Sequence, residues 1–275
     1  GNCMSMLFGD NAANNYSLSG KNYAFYKLFY NCSNIVNVSS NFLPATTLAY
    51  NCYCGMFQGC TSLTTAPALP ATTLAYYCYE SMFQNCTSLT TAPELPATSL
   101  VGSCYYYMFQ GCTSLTTAPE LPATTLADFC YQNMFQDCTS LTTAPALPAT
   151  TLAYNCYDGM FYKCTSLTTV PSNLLPANTL VDRCYQGMFG GCKNLTTAPE
   201  LPATTLAKYC YWSMFNGCTK LNYIKCLATN ISASNCIQNW VNGVASTGTF
   251  VKNPDMTSWT TGDSGIPSGW TVQNA

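Results

Sequence analysis

The chain has 275 residues, enough to bury a substantial core as one or two domains. Only 7% of the residues are charged, against roughly 25% in an ordinary globular protein, and the net charge is −2. The nine basic residues are scattered, so we expect no binding of nucleic acid. No apolar run reaches membrane-spanning length, so we expect no membrane insertion, and a secretory signal is expected to lie outside this sequence.

From its start to about residue 244, the sequence is an internal repeat. The dipeptide Met-Phe returns at 26-residue intervals from Met56 to Met160, and two further copies follow at Met188 and Met214. Degenerate copies at both ends, including a shortened one at Leu7, bring the total to about nine to ten units. A fixed period of this length is typical of a solenoid, in which each unit packs only against its neighbours.

Each unit is predicted to contain a short helix followed by a brief strand. In residues 73–85, apolar side chains recur four residues apart, as from Cys78 to Met82 and from Tyr79 to Phe83, which is typical of one helical face. Glycine or asparagine just past this segment fits a left-handed helix end. The Thr-rich stretch that follows is short and is ended by proline, as a brief strand would be.

Stacking such units predicts a curved solenoid. Parallel strands lie about 4.8 Å apart, whereas packed helices prefer about 8–10 Å, so the strands are expected to form a concave parallel sheet. The predicted fold is therefore an α/β solenoid of strand-plus-short-helix units of 26 residues, which occupies residues 1–244. The tail, residues 245–275, loses the period and is expected to form a C-terminal cap with short β segments.

The repeated sequence, which reads MFQGCTSLTTAPELPATTLA over residues 108–127, resembles the BspA-like leucine-rich-repeat proteins of bacterial surfaces. The resemblance covers roughly residues 24–244. It implies a leucine-rich-repeat solenoid, a secreted or cell-surface location, and the binding of host proteins that is attributed to several members. The APxLP motif at the strand end and the density of cysteine depart from the family pattern.

Cysteine is unusually frequent, and 17 of the 19 cysteines fall in two columns of the repeat, one before and one after the Met-Phe pair. On a helix the two columns lie about 12 Å apart, and equivalent cysteines of neighbouring helices lie about 8–10 Å apart, which is too far for disulfides. Cross-column pairs between units stay possible, whereas the absence of histidine disfavours a metal site. We predict mostly buried free thiols that pack as small apolar groups, and neither a metal nor a cofactor.

No catalytic site is predicted. Without histidine, the commonest general base is missing, as are Ser-His and Cys-His pairs. Glu94 and Glu120 share one repeat position in adjacent units, but Ala68 and Ala146 also occupy it, so we interpret it as a tolerant exposed position. We therefore expect a protein that is not an enzyme.

Aromatic residues at positions that are predicted to face solvent form the candidate binding site. These positions vary between units, as exposed positions do, and drift alone explains the variation. Drift does not explain why aromatic residues occupy positions that normally carry Lys, Glu or Arg, and an aromatic surface of low charge suits a protein or sugar partner. The candidates are Tyr76, Tyr77, Tyr106, Tyr107, Phe129, Tyr154, Tyr209 and Trp212.

These patterns favour a non-catalytic extracellular module for recognition or adhesion. Its expected partner is a protein or glycan of a host or neighbouring cell, bound through the exposed faces of the repeat. The Ser and Thr hydroxyls of the predicted concave face are a second candidate surface. The alternative function is a structural spacer, or a scaffold that self-associates, within a larger surface protein.

Overall fold

The computed structural model describes residues 2–9 and 16–275, and in them the chain forms a stack of coils, one coil for each repeat unit. Parallel backbone pairing joins neighbouring coils: Thr65 pairs with Thr91, and Thr91 with Thr117. A second column of pairing includes Thr125 and Thr151. Each contact links residues 26 positions apart in sequence, so the predicted solenoid is confirmed.

The prediction of a short helix in every unit is wrong. The only α-helix in the described residues is α1, Met4–Phe8, which includes the shortened copy expected at Leu7. Residues 75–86 and their equivalents in the other coils form overlapping β-turns instead, and this segment is here called the turn ladder. With five residues, α1 is far too short to cross a bilayer, so the described part of the chain has no membrane-spanning helix.

Backbone hydrogen bonds in the turn ladder alternate between local and inter-coil partners. The N–H of Met82 donates to the carbonyl of Tyr79, three residues earlier, at 3.2 Å. The next N–H, that of Phe83, donates to the carbonyl of Met108 in the following coil at 2.9 Å. The same alternation continues through the ladder, so its backbone donors are paired although no helix is present.

A left-handed conformation recurs at every fourth residue of the turn ladder. Tyr77, Ser81 and Asn85 have φ angles of 58°, 52° and 59°. A right-handed helix cannot pass through such residues, whereas a type II turn requires a positive φ at its third position. A four-residue turn unit also keeps side chains in line, without the drift of about 40° that a helix of 3.6 residues per turn accumulates over four residues.

Neighbouring coils are therefore closely spaced on both sides of the stack. Along the turn ladder, the ring centroids of Phe83 and Phe109 are 5.6 Å apart, and those of Tyr79 and Tyr105 are 5.9 Å apart. The predicted curvature depended on helices about 8–10 Å apart on one side of the sheet. In the turn ladder, backbone hydrogen bonds join neighbouring coils as they do in the strands, so the spacing of packed helices no longer supports the predicted curvature.

The strands of most coils are shorter than expected, since only single residues pair. Regular strands occur near the C-terminal end of the described chain: β1, Tyr223–Cys226; β2, Thr249–Lys252; and β3, Thr271–Asn274. They form a parallel sheet in the order β1-β2-β3, so the tail continues the pairing of the repeat. The division into domains 1–244 and 245–275 stays a prediction, and residues 1 and 10–15 lie outside the described residues.

The core consists of identical side chains that stack from coil to coil. Buried columns of Met, Phe, Tyr, Leu and Cys run along the stack. At its end, Trp240 stacks on Tyr211 with centroids 6.2 Å apart, and Trp259 stacks on Trp240 at 5.9 Å. Trp240 Nε1 donates to the carbonyl of Gly265 at 2.8 Å. The tail therefore covers the ring of Trp240 and supplies the acceptor for its N–H.

All 19 cysteines are free, and all except Cys32 are buried. In the second column the thiol donates to a carbonyl of the preceding coil, as Cys86 Sγ does to Phe57 O at 3.1 Å. The carbonyl oxygen of Phe57 also accepts the N–H of Cys60 at 3.0 Å, so the thiol of Cys86 uses the second lone pair of that oxygen. In the first column, burial raises the pKa of Cys104 to about 12.

Candidate ligand-binding face

Side chains of the turn ladder point inward and outward in alternating pairs. Residues 78–79 and 82–83 are buried, whereas residues 76–77, 80–81 and 84–85 are exposed or half-buried. Because the coils stack in register, the outward pairs of successive coils lie side by side. They form a continuous surface, which is here called the outer turn face.

The eight aromatic residues that were singled out in the sequence all lie on the outer turn face. Tyr76 and Tyr154 are the most exposed of them, at 59% and 39%, and the other six are half-buried. Tyr76 lies against Gly102, where an added Cβ would come within 2.7 Å of the ring. The rings therefore rest on the backbone and on one another rather than extending freely into solvent.

Six of the eight aromatic residues form three contacting pairs. The ring centroids are 4.1, 5.3 and 5.7 Å apart in Tyr106–Tyr107, Phe129–Tyr154 and Tyr209–Trp212, respectively. The second and third pairs meet edge to face, an arrangement that aromatic rings favour. These contacts fix the directions of the rings before any ligand is present.

Further tyrosines of the outer turn face, among them Tyr23, Tyr26 and Tyr50, were not singled out in the sequence. Tyr23 contacts both Tyr26 and Tyr50, with centroids 5.7 and 5.4 Å apart, and Tyr50 contacts Tyr77 at 5.8 Å. Tyr23 and Tyr26 belong to the degenerate first coil, where the Met-Phe pair is replaced by Leu28 and its neighbour. Aligning that coil column by column would have revealed them.

A cavity opens in the outer turn face between Tyr162 and Trp212. The coil between them, residues 183–192, reads RCYQGMFGGC and carries glycine at three outward positions. A Cβ added at Gly187 would meet nothing closer than Asp158 Oδ1, at 4.0 Å, so the space above this residue is open. The cavity, here called the Gly187 cavity, has a volume of about 260 Å³, and its polar lining includes Gln136, Asp158, Gln186 and Ser213.

Asp158 supplies the carboxyl group of the Gly187 cavity. Burial raises the pKa of its carboxyl to about 7, although the hydrogen bond from Gln132 and the charge of Arg183 both lower it. Gln132 Nε2 donates to Asp158 Oδ2 at 2.8 Å. Arg183 Nη1 donates to Gln186 Oε1 at 2.9 Å, and its guanidinium lies 4.4 Å from the ring centroid of Tyr209. The cavity therefore combines a carboxyl group near its titration point with oriented amides.

Carboxylates elsewhere on the stack are dispersed. Glu94 and Glu120 line one shallow groove together with Pro96 and Pro122, and its volume is about 460 Å³. Glu200 forms an ion pair with Lys225 at 3.2 Å. Among residues 2–9 and 16–275, no three His, Cys, Asp or Glu side chains converge as the ligands of a metal ion.

Comparisons with known proteins concern the repeat. The family model described as a BspA type leucine rich repeat region matches in six copies, over residues 50–194 and 131–241, which is more than half of the chain. A leucine rich cell surface protein from Faecalibacterium prausnitzii A2-165, known from its crystal structure, is 18% identical. That match covers 79% of this chain and 74% of the other with a TM-score of 0.36, too low to add to the argument. No curated protein matches the chain.

Proposed function

Because the chain belongs to the BspA-type leucine-rich-repeat family, we propose that it is a non-catalytic recognition or adhesion module of the bacterial cell surface. In this proposal, a protein or glycan of a host or neighbouring cell binds to the outer turn face. One observation carries the proposal: eight aromatic residues lie together on a face where an ordinary protein presents charged side chains.

The packing of these rings favours binding. Aromatic side chains bury a large area for few rotatable bonds, so they lose little conformational entropy when a partner covers them. Phe129 and Tyr154 are already held by their edge-to-face contact, which lowers that loss further. Since only 7% of the chain is charged, we expect binding to depend weakly on salt concentration.

The alternative, a spacer or self-associating scaffold, has one observation in its favour. Strand β3 is an edge strand of its sheet, and all four of its residues are exposed. Its outer edge pairs with no described residue, and an open strand edge can accept a strand of another chain. Self-association through β3 would leave the outer turn face uninvolved.

The test compares capture on arrays of host matrix proteins and glycans. The variant Tyr106→Ser, Tyr107→Ser, Trp212→Ser should reduce capture at least about 10-fold, because it removes rings at two places on the outer turn face. Tyr16→Ser is the control, since Tyr16 is 50% exposed but lies outside this face. If the triple variant retains full capture, the outer turn face is not the binding surface. A wild-type chain that binds nothing and only associates with itself would favour the alternative.

A further inference from the structure

We propose that the Gly187 cavity binds one pyranose ring of a glycan, stacked against Trp212 and hydrogen-bonded by Asp158, Gln136 and Gln186. This inference rests on the proposed function, and it names the ligand class for one part of the outer turn face.

The size of the Gly187 cavity suits a single sugar ring. Its volume of about 260 Å³ falls just below the roughly 300–1,000 Å³ of sites that hold drug-sized ligands. The space exists because Gly187 occupies a column in which Tyr107, Asn133 and Ser213 carry side chains in other coils. An added Cβ at Gly190 would come within 2.9 Å of the Tyr162 ring, so this glycine lets that ring lie against the backbone.

Trp212 supplies the apolar wall of the cavity. Its ring is half-buried and is held by an edge-to-face contact with Tyr209, 5.7 Å away. The face of an aromatic ring carries partial negative charge, and the C–H bonds on one side of a pyranose carry partial positive charge, so the two surfaces attract each other. Within the described part of the chain, Trp212 Nε1 donates no hydrogen bond, which leaves this group for a hydroxyl.

The polar groups of the cavity have unused hydrogen-bonding capacity of both kinds. Gln132 occupies Asp158 Oδ2, and this leaves Asp158 Oδ1 as an acceptor above Gly187. Arg183 occupies Gln186 Oε1, and this leaves the Gln186 amide as a donor. Gln136 donates through Nε2 to Asp137 at 3.1 Å, so its Oε1 remains an acceptor. Sugar hydroxyls donate and accept at once, and therefore match a mixed set of this kind.

Other ligands fit this set less well. An anion would need a free cation, but Arg183 already contacts Gln186 and Tyr209. A metal cation would need several converging oxygen ligands with negative charge, whereas Asp158 is the one carboxyl group among the described residues that line the cavity. An aromatic side chain of a peptide could fill the space, but it would leave the polar groups of the cavity buried without hydrogen-bond partners, which is unfavourable.

The experiment is saturation-transfer NMR with the methyl glycosides of glucose, galactose, mannose, N-acetylglucosamine and N-acetylgalactosamine at millimolar concentration. At least one glycoside should receive saturation from the wild-type protein. Gly187→Tyr should abolish that transfer by filling the cavity, and Tyr107 shows that a left-handed position of this column accepts tyrosine. Ser81→Tyr is the matched control, because Ser81 occupies the same column outside the cavity and also has a positive φ.

A second variant covers the case in which Gly187→Tyr does not fold. Trp212→Ala removes the wall from a half-buried surface position, and it should weaken glycoside binding at least about 10-fold. The sugar site is rejected if no glycoside binds the wild-type protein, or if binding survives both Gly187→Tyr and Trp212→Ala.

The outcome can be separated from that of the proposed function. The triple serine variant could lose capture of a matrix protein while Gly187→Tyr keeps it and no glycoside binds. In that case the outer turn face remains a binding surface, but its ligand class at the Gly187 cavity is wrong.

Discussion

Each second-column cysteine of this stack combines small size with a weak hydrogen-bond donor. The thiol of Cys112 lies 3.1 Å from the carbonyl oxygen of Phe83, to which the N–H of Cys86 also donates at 3.0 Å. Alanine would pack in the same space but would leave one acceptor position of this carbonyl empty. Serine would bury a more strongly solvated hydroxyl at greater cost. The recurrence of cysteine therefore follows from the backbone geometry of the turn ladder.

The thiols should differ sharply in reactivity. In the native protein we expect one thiol to react rapidly with an aromatic disulfide reagent, because Cys32 is the one exposed cysteine. The thiolate is the reactive form, and burial raises the pKa of thiols such as Cys104, so the others should react only after unfolding. Thiol titration in denaturant without reductant should then count 19 groups.

Replacement of the exposed cysteine is the control for this prediction. Cys32→Ser should remove the rapid phase and lower the denatured count by one. Each disulfide would lower the denatured count by two, so a count well below the expected value would instead mean that disulfides join the coils. That result is sterically open, because neighbouring coils, whose Phe83 and Phe109 ring centroids are 5.6 Å apart, are closer together than the neighbouring helices for which disulfides between equivalent cysteines were first excluded.

At the scale of the element, the four-residue spacing of apolar residues fits both a short helix and a turn ladder. On a helix Cys78, Met82 and Cys86 would spread over about 80°, which is still one face, so this spacing alone does not separate the two structures. What distinguishes a turn ladder from a helix is glycine, asparagine or serine at every fourth residue, at positions that face outward. In several coils this position is occupied by a bulky residue, such as Tyr77 or Phe129, and the signal is obscured. Such residues are not expected there, because a left-handed φ costs them roughly 1–2 kcal/mol. Inter-coil hydrogen bonds offset that cost, and they are invisible in one unit of sequence.

The outer turn face was predictable for a related reason. Pairs of inward and outward residues alternate in the turn ladder almost as they do on a helical wheel, so the aromatic candidates lie outward in both. The Gly187 cavity was not predictable, because it depends on side chains that are missing from one coil and on rings supplied by its neighbours. The letters MFGGC show the missing side chains, but only the stack shows that Tyr162 and Trp212 flank the gap.

Replacing Ser81 by glycine should distinguish a turn ladder from a helix. Ser81 is half-buried and has a φ of 52°, in a column where Gly55 and Gly159 occupy other coils. Ser81→Gly should raise the free energy of unfolding by about 1 kcal/mol, because glycine adopts this conformation without strain. In the interior of a helix the same substitution would lower it by about 0.5 kcal/mol. Urea unfolding followed by tyrosine fluorescence measures the difference.

Ser88→Gly is the matched control for this experiment. Ser88 is also half-buried, but it does not have a positive φ, so glycine there should only add freedom to the unfolded chain. We expect that substitution to lower the free energy of unfolding by roughly 0.5 kcal/mol. A lowered stability in both variants would contradict the left-handed conformation of Ser81.

At the scale of the whole molecule, each regular coil makes its ladder, ring and threonine contacts with the coils on either side of it. Hydrogen bonds of the turn ladder run to the next coil, the rings of Tyr79, Tyr105 and Tyr131 stack in sequence, and threonines pair at the same 26-residue interval. Stability should therefore be a sum over coils and over the interfaces between neighbours, as in other repeat proteins. Such a molecule can change its length without changing its local structure.

Deletion of one complete coil tests this additivity. Removing residues 105–130 joins Cys104 to Tyr131 and brings Tyr79 next to Tyr131, which occupies the same position in its coil as Tyr105. The shortened chain should still unfold cooperatively, with a smaller dependence on urea concentration because less surface is exposed on unfolding. Removing residues 105–117 deletes half as many residues but puts the following coils out of register, so this variant should not fold. If both deletions abolish cooperative unfolding, stability depends on contacts beyond neighbouring coils. If both variants fold, the register of the coils does not matter, and the stacked columns of side chains are not what stabilises the chain.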